Sequence, residues 1–456
     1  ELIAPIFSKN QVFGVLGGLF ILTNVYVALY AIVGVMLMLP FGTLPFDIGF
    51  VPTLMDVAIG VFLVVYLVLW MTGRRRTISL TPVHLFVATY FLWLLLAFAL
   101  GLRYAAPTLN ILRQFVETLL SIGLVFIVVD LLREPIVLRR LVLVVMLAVA
   151  AQSLLAVGLW VLPDNVAETL LNRLGRIGYP VGGVIRYVES NPELPERAIG
   201  TWIDPNTLGG VLAISGVMFA PQVFARNPVL RWRWLTVLVL GIVGFALFLT
   251  NSRASMGAFL IGLGVIAVMR YRRFLPWLLF AVGLVLLLPQ TQAYVSRFMD
   301  AFTGADLATQ MRIGEYTDSL RLISRYPVFG VGFTGTPDID IYTDVANLYL
   351  IMANQIGLVG VGLFLMLIGS VFFYGLLAWP FAIQDKELDA IHLGYHAALV
   401  AAMANAVGDL YFFRLEFQAS ITLFWMTVTL SLASSRLVLL RQATDESSVV
   451  KPTNIV

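Results

Sequence analysis

Arginine is the residue type that most strongly indicates chemistry in this sequence, because twenty-six arginines stand against three lysines. Arg197 precedes a polar segment with Asp204 and Asn206, Arg253 follows a Thr-Asn-Ser turn, and Arg312 lies in an amphipathic segment. A guanidinium is always charged and presents a planar fork of donors, which suits bidentate contacts to phosphate or pyrophosphate. A general preference of the chain for arginine would explain the same count without any binding site.

Two helix starts could add to an anion-binding site. Asp204 or Asn206 can cap a helix that begins near residue 205, and the amides of its first turn would favour an anion. Arg253 is predicted at the positive N-terminal end of the next-but-one span, where an anion would have to compensate its charge. A plain capped helix and an arginine that reaches the membrane interface are the alternative interpretations.

The acidic side chains near these arginines are candidates for proton transfer. Two stripes form on the predicted 311–325 helix at 100° per residue: Arg312, Glu315 and Ser319 on one, and Asp318, Arg321 and Arg325 on the other. Asp344 is a possible cap of the following span, with Asn347 and Tyr349 just inside it. We predict Asp344, Glu315 and Asp318, in that order, as candidates for a general base. A solvated charged face is the alternative for the helix.

The substrate-binding residues predicted in addition to the catalytic set are Arg197, Asp204, Asn206, Arg321, Arg325, Asn347 and Tyr349. Within the predicted spans, Arg113 and Glu117 lie one helical turn apart and are expected to neutralise each other. Asn405, Asp409 and Arg414 form a smaller polar cluster near the end of the last hairpin.

Metal and nucleotide sites are not indicated. The Asp338-Ile-Asp340 segment looks like the metal-binding motif of cytosolic glycosyltransferases, but nothing around it suggests their nucleotide-binding domain. His392 and His396 have metal-ligand spacing, yet they are predicted near the cytoplasmic end of a span. The chain has no cysteine and no nucleotide-binding glycine loop. We therefore expect no cofactor, no metal and no nucleic-acid partner.

The elements that must position these residues are membrane helices. The chain is 60% hydrophobic and 12% charged, with a mean hydropathy of +0.93, whereas soluble domains are about a quarter charged. A span needs about 20 apolar residues. The sequence thus predicts an all-α polytopic membrane protein of about 12 transmembrane helices with two long outer-face loops. The predicted order is N-terminal spans 1–161, a periplasmic loop 162–205, spans six to nine 206–289, a second periplasmic loop with the amphipathic helix 290–345, C-terminal spans 346–435 and a cytoplasmic tail 436–456.

The basic residues predict the orientation. With twelve spans and both termini cytoplasmic, the connections at 74–76, 133–140, 226–233 and 270–273 all face the cytoplasm, as the positive-inside rule requires. All three lysines fall on that side, whereas twelve arginines fall at or near the opposite face. The tenth predicted span is longer than a bilayer needs, so it either tilts, breaks or re-enters.

Four segments together resemble the O-antigen ligase and O-antigen polymerase superfamily of bacterial membrane glycosyltransferases. They are the 199–210 segment (Ile-Gly-Thr-Trp-Ile-Asp-Pro-Asn-Thr-Leu-Gly-Gly), Asn251-Ser-Arg-Ala-Ser255, Arg312 followed by Pro327 and Gly330-Val-Gly332, and the 347–360 segment that begins Asn-Leu-Tyr-Leu. The resemblance implies a C-type glycosyltransferase-like fold in the bacterial inner membrane with its active face outside. It implies a polyprenyl-pyrophosphate-linked glycan as donor, a saccharide or lipid acceptor and membrane lipids as partners. Arg253 and Arg312 would take the two pyrophosphate-binding roles.

One position departs from the ligase pattern. Ligases of the superfamily carry a histidine immediately before the asparagine of the 347–360 segment, and here this residue is Ala346. This favours an O-antigen or exopolysaccharide polymerase; an O-antigen ligase acting on lipid A-core, or a protein O-oligosaccharyltransferase, is the alternative. A metal-assisted transferase that uses Asp47 or Asp56, and a transporter of lipid-linked glycans, are further hypotheses.

Overall fold

The protein folds into a helical bundle with one small hairpin of strands. The computed structural model describes residues 24–287, 292, 296, 307–336 and 344–449. Its helices are α1 Val25–Met38, α2 Leu54–Met71, α3 Val83–Gly101, α4 Leu109–Leu131, α5 Pro135–Val161, α6 Asp164–Asn172, α7 Pro205–Phe219, α8 Arg233–Leu249, α9 Arg253–Met269, α10 Leu275–Leu287, α11 Leu307–Arg325, α12 Leu348–Ala382, α13 Asp389–Asn405 and α14 Gln418–Val449. The strands β1 Arg186–Tyr187 and β2 Glu196–Arg197 pair antiparallel.

Seven of the described helices are long and apolar enough to cross a membrane: α2, α3, α4, α5, α12, α14 and α7 with the turn that continues it to residue 223. The shorter helices α1, α8 and α9 are also apolar. The prediction of an all-helical membrane protein is thereby confirmed, while the number of twelve spans and the boundaries of the loops stay predictions. The Asp338-Ile-Asp340 segment lies outside the described residues.

The arginine-rich connections meet at one end of the bundle. Arg75, which follows α2, lies 2.8 Å from Asp130 at the end of α4. Arg226, which follows α7, and Arg270, which follows α9, each lie 3.2 Å from Asp389 at the start of α13. These ion pairs join connections that are far apart in sequence, and the side of the membrane on which they lie stays a prediction.

Helix α12 is interrupted near its start, as the length of the tenth predicted span indicated. Gly357 has φ +71° and ψ 173°, a conformation almost restricted to glycine. The segment after α11 fills the break: the Leu358 amide donates to the Pro327 carbonyl at 2.7 Å, and Trp93 Nε1 donates to the Ile356 carbonyl at 2.9 Å. The Asn354 and Gln355 carbonyls also accept from the Val331 and Gly332 amides at 2.8 and 2.9 Å, so these backbone groups at the break are paired, as the apolar surroundings require. This docking fixes the end of α11 against the bundle.

Helix α7 lies at the centre of the bundle, and its residues from 207 to 219 are all buried. It packs against α9 and α13, and the glycine pair Gly209-Gly210 permits the close approach. A Cβ on Gly209 would lie 2.8 Å from Ser255 Oγ of α9, and one on Gly210 would lie 3.0 Å from Asn405 Nδ2 of α13. The first turns of α7 and α9 and the end of α13 are thus brought together; we call this the site end of the bundle.

Candidate anion-binding site

The start of α7 is a capped helix N-terminus, as predicted. Asp204 is the cap: its Oδ1 accepts hydrogen bonds from the Thr207 amide at 2.7 Å and from Thr207 Oγ1 at 2.8 Å. Pro205 occupies the first helical position, where its missing amide hydrogen costs nothing. The preceding Ile203 has φ +62°, which is strained for a β-branched residue.

Arg197 joins three elements at the site end. Its Nε donates to the Thr250 carbonyl at 2.8 Å, at the end of α8. One terminal nitrogen of its guanidinium donates to Asn206 Oδ1 at 2.5 Å, in the first turn of α7. Because Arg197 itself lies on β2, these bonds fasten the first long connection to the two helices. Two of the predicted substrate-binding residues, Arg197 and Asn206, therefore lie together at the site end, and each positions the other.

Arg253 is the first residue of α9, at the positive end of the helix dipole. The turn before it is tight because Asn251 adopts φ +56°, a conformation that asparagine tolerates better than most residues. Ser252 and Ser255 share a hydrogen bond of 2.9 Å between their hydroxyls beneath the turn. The half-buried Arg253 thus has a defined backbone position beside the start of α7.

Helix α11 presents one of its two predicted stripes to the bundle. Ser319 is fully buried and donates to Asn354 Oδ1 of α12 at 2.9 Å. Glu315 accepts a hydrogen bond from the Ala346 amide at 3.0 Å. Arg312 lies on the same stripe and is half-buried. The position where ligases carry a histidine is therefore tied through its backbone to the carboxylate that we predicted as a candidate base.

The second stripe of α11 faces outward. Asp318 pairs with Arg321 at 3.3 Å, and the Arg321 side chain is 65% exposed. Arg325 is also exposed. The structure does not bring these three predicted residues to the cluster, and a solvated charged face describes them well.

The predicted cap of α12 is wrong. Asn347, not Asp344, caps the helix: its Oδ1 accepts from the Tyr349 and Leu350 amides at 3.0 and 3.1 Å. Asp344 instead pairs with Arg414 at 3.0 Å. Asn347 is the N-cap because it immediately precedes the first helical residue, whereas Asp344 lies three residues further out.

Asn347 and Tyr349 also hold the connection after α13. Asn347 Nδ2 donates to the Val407 carbonyl at 2.9 Å, and the Tyr349 hydroxyl donates to the Met403 carbonyl at 2.8 Å. These contacts fasten α12 to the last turn of α13 and to the segment that follows it. Both residues, predicted to bind substrate, thus have structural partners close to the cluster.

Asp409 was not among the site residues predicted from the sequence, where it appeared only as part of a smaller polar cluster. It lies in the connection between α13 and α14, outside both helices, and is only 3% exposed. Burial raises the pKa of its carboxyl to about 8; Arg312 and Arg197 oppose the rise, and Asp204 adds to it. Asp409 is thus predominantly protonated at neutral pH, and its Oδ2 has no hydrogen-bond partner among the described residues.

The neighbours of Asp409 define the cluster. Its electrostatic partners come from β2, the start of α7 and α11, which are far apart in sequence. A Cβ on Gly408 would lie 2.6 Å from Cβ of Ala254, so the first turn of α9, with Arg253, adjoins the same connection. The signal for Asp409 in the sequence was an acidic residue within an apolar hairpin, where ionisable groups are uncommon and often functional.

Tyr411 is a second residue that the sequence did not single out. Burial raises the pKa of its phenol well above the usual value, and Asp204 and Asp409 add to the rise. Its hydroxyl remains a neutral donor beside these carboxyls. The cluster therefore combines guanidinium groups, helix amides and neutral O–H donors, which is a suitable environment for a pyrophosphate whose negative charge increases as it leaves.

The acidic residues of the metal-assisted hypothesis have other contacts. Asp56 Oδ2 accepts from the Thr53 amide at 2.7 Å and from Arg113 at 2.8 Å. Asp47 Oδ1 accepts from the Gly49 amide at 2.8 Å. Within the part of the chain that the structure describes, no three His, Cys, Asp or Glu side chains are grouped so that they could hold a metal ion.

The predicted pair of Arg113 and Glu117 is confirmed at 3.0 Å.

Comparison with known proteins gives one positive result. Residues 236–365 match the family model described as O-antigen ligase. No curated protein matches the chain. The matched range runs from α8 to the first part of α12 and includes both Arg253 and Arg312. The match over this range supports a relationship to the superfamily of O-antigen ligases and polymerases.

Proposed function

We propose that the protein is a membrane glycosyltransferase that moves a glycan from a polyprenyl-pyrophosphate carrier to a saccharide or lipid-anchored acceptor. The proposed location is the outer leaflet of the bacterial inner membrane, and the proposed role is that of an O-antigen or exopolysaccharide polymerase. The observation that carries the proposal is the cluster at the site end. There Arg312 and Arg197 act on the buried Asp409, and the first turn of α9 with Arg253 packs against the same connection.

The chemistry follows from the charge that develops during transfer. The bond between the sugar anomeric carbon and the pyrophosphate oxygen breaks, and the oxygen keeps the electron pair. Arg253 and Arg312 stabilise this charge, and each charge-assisted contact contributes about 1.5–3 kcal/mol. The protonated Asp409 donates a hydrogen bond to the pyrophosphate, whereas an ionised Asp409 would compete with it for Arg312. Because pre-positioned groups need little reorganisation, they can supply much of the catalysis.

The acceptor hydroxyl must lose a proton as its oxygen bonds to the sugar. Of the predicted bases, Asp344 is favoured, since burial raises the pKa of its carboxyl although Arg414 opposes the rise. A raised pKa makes its carboxylate a stronger base. Glu315 comes second because it already accepts the Ala346 amide. Asp318 comes last, since it already pairs with Arg321.

The polymerase role is favoured over the ligase role by the surroundings of residue 346. Here Ala346 offers no imidazole, and its amide is bonded to Glu315. A polymerase extends one lipid-linked glycan with another, so its products form a ladder of repeat units on the carrier. A ligase would instead place the glycan on lipid A-core. Product analysis by mass spectrometry after incubation with both acceptors separates the two roles.

The proposal is tested with purified protein in nanodiscs and a glycan linked to polyprenyl pyrophosphate. Arg253→Ala and Arg312→Ala should each abolish transfer, while the expression level and the melting temperature stay at their wild-type values. Arg321→Ala is the matched control, because Arg321 lies on the same helix as Arg312 but faces outward. Transfer at the wild-type rate by both site variants would contradict the proposal.

A further inference from the structure

Asp204 also lines a cavity of about 360 Å³ at the site end. The walls come from the connection between α1 and α2, from the later part of the first long connection, from Arg113 of α4, and from Glu416 and Gln418 at the start of α14. Sites for small molecules have volumes of about 300–1,000 Å³. The cavity is therefore large enough for a small ligand, and it shares one side chain with the anion-binding cluster.

The lining combines aromatic rings with groups that both donate and accept hydrogen bonds. The rings are Phe41 and Trp202, whose centroids lie 6.3 Å apart at an interplanar angle of 79°. The polar groups include Gln418 and two side chains of each charge, Arg113 and Arg186 against Asp204 and Glu416, so positive charge is not in excess. A lipid chain would need an apolar lining, and a simple anion would need an excess of positive charge. A sugar ring, with its apolar C–H faces and its hydroxyls, fits this mixture better.

The walls of the cavity are held in place before any ligand binds. The Thr43 amide donates to the Ile177 carbonyl at 2.7 Å, which joins two of the wall segments. Trp202 is buried, and its Nε1 donates to the Leu37 carbonyl at 3.2 Å. Ile203, also in the wall, keeps its strained φ of +62°. Strained backbone persists where the surrounding contacts enforce it, and it is concentrated at functional sites.

We propose that this cavity is a saccharide subsite, which binds one sugar unit of the glycan that is transferred or extended. The inference rests on the proposed function, because it assigns a substrate group to the surroundings of the anion-binding cluster. Asp204 connects the two: it lines the cavity, and its charge acts on Asp409. A sugar in the cavity would thus lie beside the groups that hold the pyrophosphate.

Phe41→Ala and Arg186→Ala test the subsite in a transfer assay in which donor and acceptor concentrations are varied separately. Each variant should raise the KM for a saccharide substrate at least tenfold and change kcat less than about twofold. Phe41→Tyr keeps the aromatic face, so its KM should lie closer to the wild-type value than that of Phe41→Ala. Arg176→Ala is the matched control, since Arg176 is an exposed arginine of the same connection that does not line the cavity.

The pattern of KM values decides the outcome. A rise for the donor alone assigns the cavity to the transferred glycan, and a rise for the acceptor alone assigns it to the extended one; both support the subsite. Unchanged KM values in Phe41→Ala and Arg186→Ala, or equal effects of Arg176→Ala and Arg186→Ala, would overturn it. Melting curves verify that the variants fold.

A binding measurement separates failure of the subsite from failure of the proposed function. The probe is the free oligosaccharide released by mild acid from the lipid-linked donor, observed by saturation-transfer NMR with the full-length protein. Binding by wild type and its loss in Arg186→Ala support the subsite even if wild type transfers nothing, a result that would contradict only the proposed function. No binding by wild type would overturn the subsite.

Discussion

Donor binding should weaken as the pH rises through the pKa of Asp409. Because burial raises this pKa to about 8, the carboxyl is neutral below that pH and carries a negative charge above it. An ionised Asp409 would repel the pyrophosphate and pair with Arg312. About a tenth of the carboxyl is ionised at pH 7 and about nine tenths at pH 9. If only the neutral form binds the donor, its KM rises about tenfold over this interval.

The assay measures the donor KM at saturating acceptor between pH 7 and pH 9. Asp409→Asn removes the titrating group and keeps a neutral side chain of similar size, so its donor KM should be nearly flat. Asp318→Asn is the control, because Asp318 lies on the outward stripe of α11; it should keep the pH dependence of wild type. A flat wild-type KM, or an equally steep rise in Asp409→Asn, would refute the role of Asp409.

Three further outcomes are expected. Gly357→Ala should destabilise the protein by at least about 1–3 kcal/mol in melting experiments, because only glycine tolerates that backbone conformation; Gly362→Ala, with nothing within 4 Å of the added Cβ, should not. Arg197→Lys should lower kcat/KM about tenfold, since an ammonium cannot reproduce the fork that joins Thr250 and Asn206; a wild-type value would contradict this role. EDTA should leave the transfer rate unchanged, because guanidinium groups are proposed to neutralise the leaving pyrophosphate; a loss that Mg²⁺ restores would favour the metal-assisted alternative.

Local signals in the sequence predicted those features that depend on neighbouring residues. The start of α7 follows from Asp204 and Pro205, and the end of α11 follows from Pro327. The spacing of Arg312, Glu315 and Ser319 predicted that they share one stripe, because side chains three or four residues apart share one face of a helix; the structure shows that this stripe faces the bundle. The apolar composition predicted the membrane helices, because a span requires only a local run of apolar residues.

The features that the sequence did not predict depend on contacts between distant segments. Arg312 acts electrostatically on Asp409 although the two residues are far apart in sequence, and the segment after α11 docks at the break of α12 and so helps to position that helix. No periodicity within either segment records this contact. The pair of Asp344 with Arg414, from the connection before α14, is likewise a contact between distant segments. Pairing across the fold therefore decided the composition of the site.

The most direct test of the central proposal is a cryo-electron microscopy structure of the protein with a polyprenyl-pyrophosphate-linked glycan. The proposal predicts density for the two phosphates within hydrogen-bonding distance of the guanidinium groups of Arg253 and Arg312, with Asp409 adjacent. Well-defined phosphates bound elsewhere, with neither arginine in contact, would contradict it.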